Sequence, residues 1–344
     1  FIFTFFSTKN ITDNKILALG FATIFLTCYS KPIQDFYPID DWAIFFVSGG
    51  LYFYITKSFK ISTIFWIITS LHKEYYSLSI AAFGGTILLS ALISNNKMNI
   101  SSLKIHEIRW ALIWVIGGIS WFLIAFFGIM NALDGSWENQ GMFTSIGGLK
   151  GMINEPLNAF NFFIQKLLTP ATQSFLLQLF IPLCLLSIIG IEYTAPIIPI
   201  IIILLFADGD HTSVSHGHYT NWLFPFIING AALGYIRLRD KINHIFFRKT
   251  IICLILICIS YQMISGLRTY RYWLKSKIAE YHAMTYYRDD IKMALGKIPS
   301  NAKVATDEYL LPYFANRRFI IHLSKINKLK PDYIIRDATQ NGED

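Results

Sequence analysis

Asp208-Gly-Asp-His-Thr-Ser-Val-Ser-His-Gly-His-Tyr-Thr-Asn-Trp-Leu-Phe-Pro-Phe226 is a short polar stretch, rich in His and Asp, wedged between two apolar runs. Ala195-Pro-Ile-Ile-Pro-Ile-Ile-Ile-Ile-Leu-Leu-Phe206 precedes it, and Trp222 to Tyr235 follows. A polar loop at such a junction sits at a membrane surface or lines a cavity open to water. Ionisable groups held at membrane depth are costly, and for that reason usually functional. The stretch is therefore expected to face the extracytoplasmic side and to form one wall of an active-site cavity.

The composition of the whole chain agrees. Of 344 residues, 53% are apolar and 16% aromatic, and only 15% are charged. Soluble domains carry about 25% charged residues, so the deficit points to lipid. Apolar runs recur along most of the length, which predicts a polytopic helical membrane protein. The net charge of +8 lies largely in short loops between these runs. There it reads as topology and contact with lipid headgroups, and no nucleic acid partner is expected. Cys28, Cys184, Cys253 and Cys258 all fall inside apolar runs, without metal-ligand spacing, and imply no disulfide framework. Phe1 to Phe6 reads as the tail of an earlier apolar segment, so an N-terminal part is expected to be missing.

A spanning helix needs about 20 apolar residues, fewer where the bilayer is thin. Candidate spans are 16–31, 42–56, 61–72, 76–94, 108–130, 174–190, 194–206, 219–236 and 250–267, of which 61–72 and 194–206 are short enough to be partial or broken. Lys57 and Lys60, then Lys97, Lys104 and Arg109, then Arg237 to Lys249 lie between spans on one face, which the positive-inside rule assigns to the cytoplasm. The opposite face receives Asp35, Asp40, Asp41, Lys73, Glu74, the outer loops 131–173 and 207–218, and the C-terminal tail. Arg268, Arg271, Lys275 and Lys277 follow the last span, so parity and not charge puts that tail outside.

Two further stretches shape the outer face. Residues 131–158 form a long glycine-rich loop, of a length that is usually functional or disordered. Pro156 to Pro170 has the pattern of an amphipathic helix lying in the interface. After Leu267 the composition changes. Tyr270, Tyr272 and Trp273 suggest an aromatic belt. Short strands are expected at Lys303–Thr306, Arg318–Leu323 and Asp332–Asp337, with a helix after the first. The expected organisation is a transmembrane helical domain over 1–268 and a small extracytoplasmic α/β cap over 269–344. Gly49-Gly50 and Gly84-Gly85 read as close helix packing through small residues, not as phosphate loops.

Three constellations are candidates for chemistry. Asp208, Asp210 and His211, with the nearby histidines, supply imidazole and carboxylate donors for a divalent metal ion, although the spacing matches no strong zinc motif. Within the same loop, His216, His218 and Tyr219 suit a phosphate or a sugar hydroxyl, which is the favoured reading. The plain alternative is a solvated loop with local hydrogen bonds. Lys73 and Glu74 stand between two apolar runs: Lys73 suits a lipid phosphate, and Glu74 suits a sugar hydroxyl or the role of base. Snorkelling at a helix end would also explain them. Asp40 and Asp41 open a span from the outer side, where capping competes with a role as general base. No nucleotide motif, no Ser-His-Asp elbow and no HExxH is present, which argues against a nucleotide-driven pump.

Lys73-Glu74 before Phe83-Gly84, His218-Tyr219 before Pro225, and Ile298-Pro299, Ala302-Lys-Val304, Leu311-Pro-Tyr313, Arg317 and Asp332-Tyr-Ile-Ile335 in the tail resemble the DUF2079 family of bacterial and archaeal membrane proteins. That family is similar to the GT-C superfamily of polytopic glycosyltransferases. The resemblance spans roughly residues 30–337. It implies a helical bundle of GT-C type in a bacterial or archaeal cytoplasmic membrane. The implied reaction moves a sugar from a polyprenyl-phosphate donor to a glycan, lipid or protein acceptor outside, with the cap outside as well. Lys73, His216, His218 and Tyr219 would then meet the donor, and Glu74, Asp40 or Asp41 would serve as base or orienter. Tyr37 stands where the family pattern favours His. The acid that serves GT-C chemistry belongs to a first outer loop, expected upstream of Phe1. Competing readings are a transporter or flippase of a lipid-linked solute, and a non-catalytic subunit of a larger membrane complex.

Overall fold

The computed structural model describes residues 1–29, 38–94, 102–129, 154–183, 185–206, 221–242, 295–306, 320–322 and 330–335, with residue 132 and scattered positions between 249 and 293. The chain divides into two compact units, Phe1–Tyr270 and Arg271–Asp344. The first is helical. It opens with α1 (Ile2–Thr12) and α2 (Lys15–Tyr29), joined by Asp13 in the left-handed region. Asn14 caps α2: its Oδ1 accepts from the backbone N–H of Ile16 at 2.9 Å and of Leu17 at 3.1 Å. On α1 the buried positions are Thr4, Ser7, Thr8 and Thr12, whereas Phe1, Ile2 and Phe6 are exposed. Thr8 and Thr12 return their hydroxyls to the carbonyls of Thr4 and Thr8 at 2.8 and 2.7 Å. Small hydroxylated residues inside and large apolar ones outside are the reverse of a soluble amphipathic helix, and match helix contacts made in lipid.

Helix α3 (Pro38–Ile55) turns at Thr56–Ser58 and returns as α4 (Phe59–His72). Gly49 and Gly50 lie directly under Phe65 and Trp66 of the returning helix, and the Ser62 hydroxyl donates to the Gly50 carbonyl at 2.8 Å. The pair α5 (Tyr76–Ser94) and α6 (Ser102–Leu123, extended by a π-helical turn over Ile124–Ile129) is also antiparallel. A methyl added at Gly84 would strike the Ala111 carbonyl, and one at Gly118 the Ser77 carbonyl, while Gly85 and Gly117 face open space. The expected glycine packing is therefore present at Gly49, Gly50 and Gly84, with Gly118 as its partner notch. It costs helix propensity, about 1 kcal/mol per glycine, and is repaid by close backbone approach.

The 174–190 run, expected as one span, is interrupted. Helix α7 (Pro156–Leu167) leads to α8 (Pro170–Phe180), whose N-cap is Thr169. A 3₁₀ turn over Ile181–Leu183 contains Pro182, and Leu185 then takes φ of 58°. Proline withholds an N–H from the helical ladder, which accounts for a break at this point. The short helices α9 (Leu186–Ile189) and α10 (Ile191–Thr194) follow, then α11 (Ile198–Phe206) after a 3₁₀ turn at Ala195–Ile197. The 61–72 segment, by contrast, is unbroken within α4.

Helix α12 (Phe224–Lys241), entered through a 3₁₀ turn at Asn221–Leu223, is the centre of the unit. Every residue from Phe224 to Ala232 is buried, and α1, α2, α3, α9 and α10 pack around it. Gly230 meets Gly190 and Thr194, and Gly234 meets the Leu186 carbonyl, so the backbones of α9 and α12 touch. Beside it, Trp66 stacks on Phe226 with ring centroids 6.1 Å apart, and Phe83 stacks on Trp114 at 6.0 Å.

Among the described residues two helices, Tyr76–Ile93 and Ile105–Ile129, are long and apolar enough to cross a membrane. Lys15–Phe25, Trp42–Ile55 and Ile191–Leu205 are shorter apolar helices. Only 22% of the Ile105–Ile129 window is buried. The core helix of a soluble protein would bury most of such a surface, whereas this one keeps most of it on the outside of the unit.

In the second unit three short strands form where the sequence suggests them. They are β1 (Val304–Thr306), β2 (Ile320–His322) and β3 (Tyr333–Ile335), all parallel, with β1 in the middle. The Lys303 N–H donates to the Asp332 carboxylate at 2.8 Å and fastens β3 beside β1. The helix expected after β1 lies outside the described residues.

Candidate functional site at the two ends of the bundle

The α4–α5 turn carries Lys73 and Glu74. Lys73 is extended and ends α4, while the Tyr76 N–H bonds to the Lys73 carbonyl at 3.1 Å and the Ser77 hydroxyl bonds to the Glu74 carbonyl. These bonds fix a tight corner with both ionisable side chains half-buried. The ammonium of Lys73 lies 5.8 Å from the centre of the Tyr75 ring. Tyr76, fully buried, packs on the fully buried Trp222 with centroids 4.3 Å apart, and Tyr75 lies 6.4 Å from the same indole. Trp222 belongs to the 3₁₀ turn that emerges from residues 207–220. Helix α3 packs on this turn too, and its first turn carries Asp40 and Asp41.

One end of the bundle thus gathers the Lys73–Glu74 corner, the start of α3 and the exit of the His-rich stretch. The side chains of Asp40 and Asp41 lie outside the described residues, as do Asp208, Asp210, His211, His216, His218 and Tyr219. Among the described residues no group of three or more His, Cys, Asp and Glu is arranged to hold a metal ion.

The other end holds a feature that the sequence reading missed. A cavity of about 280 Å³ is lined by Tyr54, Phe83, Ile87, Glu107, Glu192 and Tyr193, among others. The Tyr54 hydroxyl donates to Glu107, and Lys57 reaches both oxygens of the same carboxylate at 3.2 and 3.3 Å. Glu192 is held in a two-pronged pair by Arg237, with Nη1 2.7 Å from Oε2. The same Nη1 donates to the Ile189 carbonyl at 3.0 Å, and Thr86 donates to the Glu192 carbonyl at 3.0 Å. Bidentate geometry makes the Arg237 pair the more specific of the two. In the sequence Lys57 and Arg237 signal only topology. A signal for Glu192 was present, since it is the one charged residue between Lys166 and Asp208. Glu107 gave no such signal, because its partners lie some fifty residues away.

Chemically, the first end offers an ammonium and a carboxylate at a rigid corner beside an aromatic floor. The second offers two carboxylates over tyrosine rings, each neutralised by a cation. No curated protein and no solved structure matches the chain significantly. A family model described as a predicted membrane protein matches residues 8–344, nearly the whole length, and the chain accordingly belongs to the DUF2079 family.

Proposed function

We propose that the chain is a polytopic membrane glycosyltransferase of GT-C type, moving a sugar from a polyprenyl-phosphate donor to an acceptor on the extracytoplasmic face. The observation that supports this reading is the packing of Tyr75 and Tyr76 on Trp222. It sets the Lys73–Glu74 corner beside the exit of the stretch containing His216, His218 and Tyr219. In the proposed reaction an acceptor hydroxyl attacks the anomeric carbon, and the bond from that carbon to the phosphate oxygen breaks. The acceptor proton passes to a carboxylate, Glu74, Asp40 or Asp41. Polyprenyl phosphate leaves, its negative charge met by Lys73 and His218. A preorganised cation of this kind contributes on the order of 100-fold in rate.

The test is transfer from a radiolabelled polyprenyl-phosphate sugar by the full-length protein in liposomes. Product is expected from the native chain, and the His218→Ala variant should express normally but lose transfer. Unchanged turnover in that variant removes His218 from the site, and no transfer from any donor of this class overturns the proposal.

A transport reading keeps one specific support. The interruption between α8 and α9, with Leu185 left-handed, divides an apolar stretch as the discontinuous helices of transporters do. Uptake or flipping of a labelled lipid-linked solute, with no glycosidic product, would favour it.

A further inference from the structure

The cavity at the basic end is built in layers. Its floor is buried: Tyr54, Phe83 and Ile87 are at most 9% exposed. Glu107 and Glu192 line it from different helices, with side chains 23% and 28% exposed. Their cations stand beyond the lining and are more exposed than the carboxylates they pair with, Lys57 at 52% and Arg237 at 40%. A carboxylate has about four acceptor sites. Tyr54 and Lys57 occupy part of those on Glu107, and Arg237 part of those on Glu192, so both keep acceptor capacity for hydroxyl donors. A ligand matching this order carries an anion at the rim and hydroxyl groups within, above aromatic rings.

The way in is also marked. Ser90, Ala91 and Ile108 line the cavity and are half-exposed. Around them Leu89, Leu92, Ile93 and Ile105 present exposed apolar side chains. A molecule entering here lies along an apolar surface while its polar part turns inward, which describes an amphiphile. Basic pockets between membrane helices hold lipid headgroups by the same charge logic.

We propose that this cavity is a binding site for a membrane lipid whose phosphodiester carries a vicinal diol, of the phosphatidylglycerol type. The phosphate lies between Lys57 and Arg237, and the diol donates to Glu107 and Glu192 over the rings of Tyr54 and Tyr193. The acyl chains follow α5 and α6 past Leu92 and Ile105. This site is independent of the transferase reading, because it uses none of that reading's residues.

The experiment is native mass spectrometry of the full chain released from nanodiscs containing equal parts phosphatidylglycerol, phosphatidic acid and phosphatidylcholine. Retention of phosphatidylglycerol over phosphatidylcholine by about tenfold is expected from two basic contacts. The Ala91→Phe variant, which fills the half-exposed mouth and leaves both ion pairs intact, should lose that preference. The Glu107→Gln, Glu192→Gln double variant should keep anionic lipid but no longer favour phosphatidylglycerol over phosphatidic acid. Equal retention of all three lipids by the native chain, or native retention by Ala91→Phe, overturns the proposal. Displacement of the lipid by water-soluble glycerol 3-phosphate overturns it as well, since the head alone would then suffice.

Discussion

The two ends of the helical bundle are closed by different physics. At the α4–α5 end the seal is aromatic, with Tyr76 tilted against Trp222 at 4.3 Å and Phe46 against His72 at 5.4 Å. Its ionisable groups, Lys73 and Glu74, are neighbours in sequence at one corner. At the opposite end the seal is ionic and long-range: Lys57 meets Glu107 fifty positions on, and Glu192 meets Arg237 forty-five positions on. The first arrangement sets Lys73 and Glu74 at a turn whose backbone is fixed by hydrogen bonds. The second ties α3 to α6 and α10 to α12 around a cavity, suited to holding a ligand between helices.

The strongest test of this contrast is Trp222→Ala. Removing a fully buried indole costs about 3–5 kcal/mol, and the loss should appear as a lower melting temperature of the detergent-solubilised protein. A variant that melts like the native chain would show that the aromatic seal is not what holds the Lys73–Glu74 corner. Next in size is Lys73→Ala, expected to lower transfer on the order of 100-fold with an unchanged melting temperature. Lys57→Ala should leave transfer as it is. Equal losses from the two variants would erase the functional distinction between the ends.

The ionic end can be graded within itself. Arg237→Ala strips Glu192 of a bidentate partner and should destabilise by about 1–3 kcal/mol. Lys57 is the more exposed cation, and its loss should cost less than about 1 kcal/mol. Chemical denaturation of the two variants side by side checks this order, and a larger effect at Lys57 would reverse it. The smallest effect is expected between the ends. Gly117→Ala enters open space and should stabilise α6 by up to about 1 kcal/mol. Its neighbour Gly118→Ala collides with the Ser77 carbonyl and should destabilise. Similar melting temperatures for that pair would mean that α5 and α6 do not pack this closely.

The sequence by itself determined the class of this protein. Apolar runs, scarce charge and basic loops require only composition and periodicity, which are local properties, and they led to a helical chain of a membrane-protein family. The strands at Val304, Ile320 and Tyr333, and the glycine notches at Gly49, Gly50 and Gly84, were legible for the same reason. Glu192 was half-legible, since a lone acid in a long uncharged stretch asks for a partner without naming it. Only the tertiary structure decided which partners met. Glu107 with Lys57 and Tyr54, Arg237 with Glu192, and Tyr76 with Trp222 all join residues far apart in the chain, where no spacing rule applies. The burial of Thr4, Ser7, Thr8 and Thr12 on α1 was decided there too. Inside lipid the exterior is as apolar as the core, so hydrophobicity cannot say which face of a helix turns inward. Close packing and hydrogen bonding between neighbouring helices decide it, and these exist only once the helices have met.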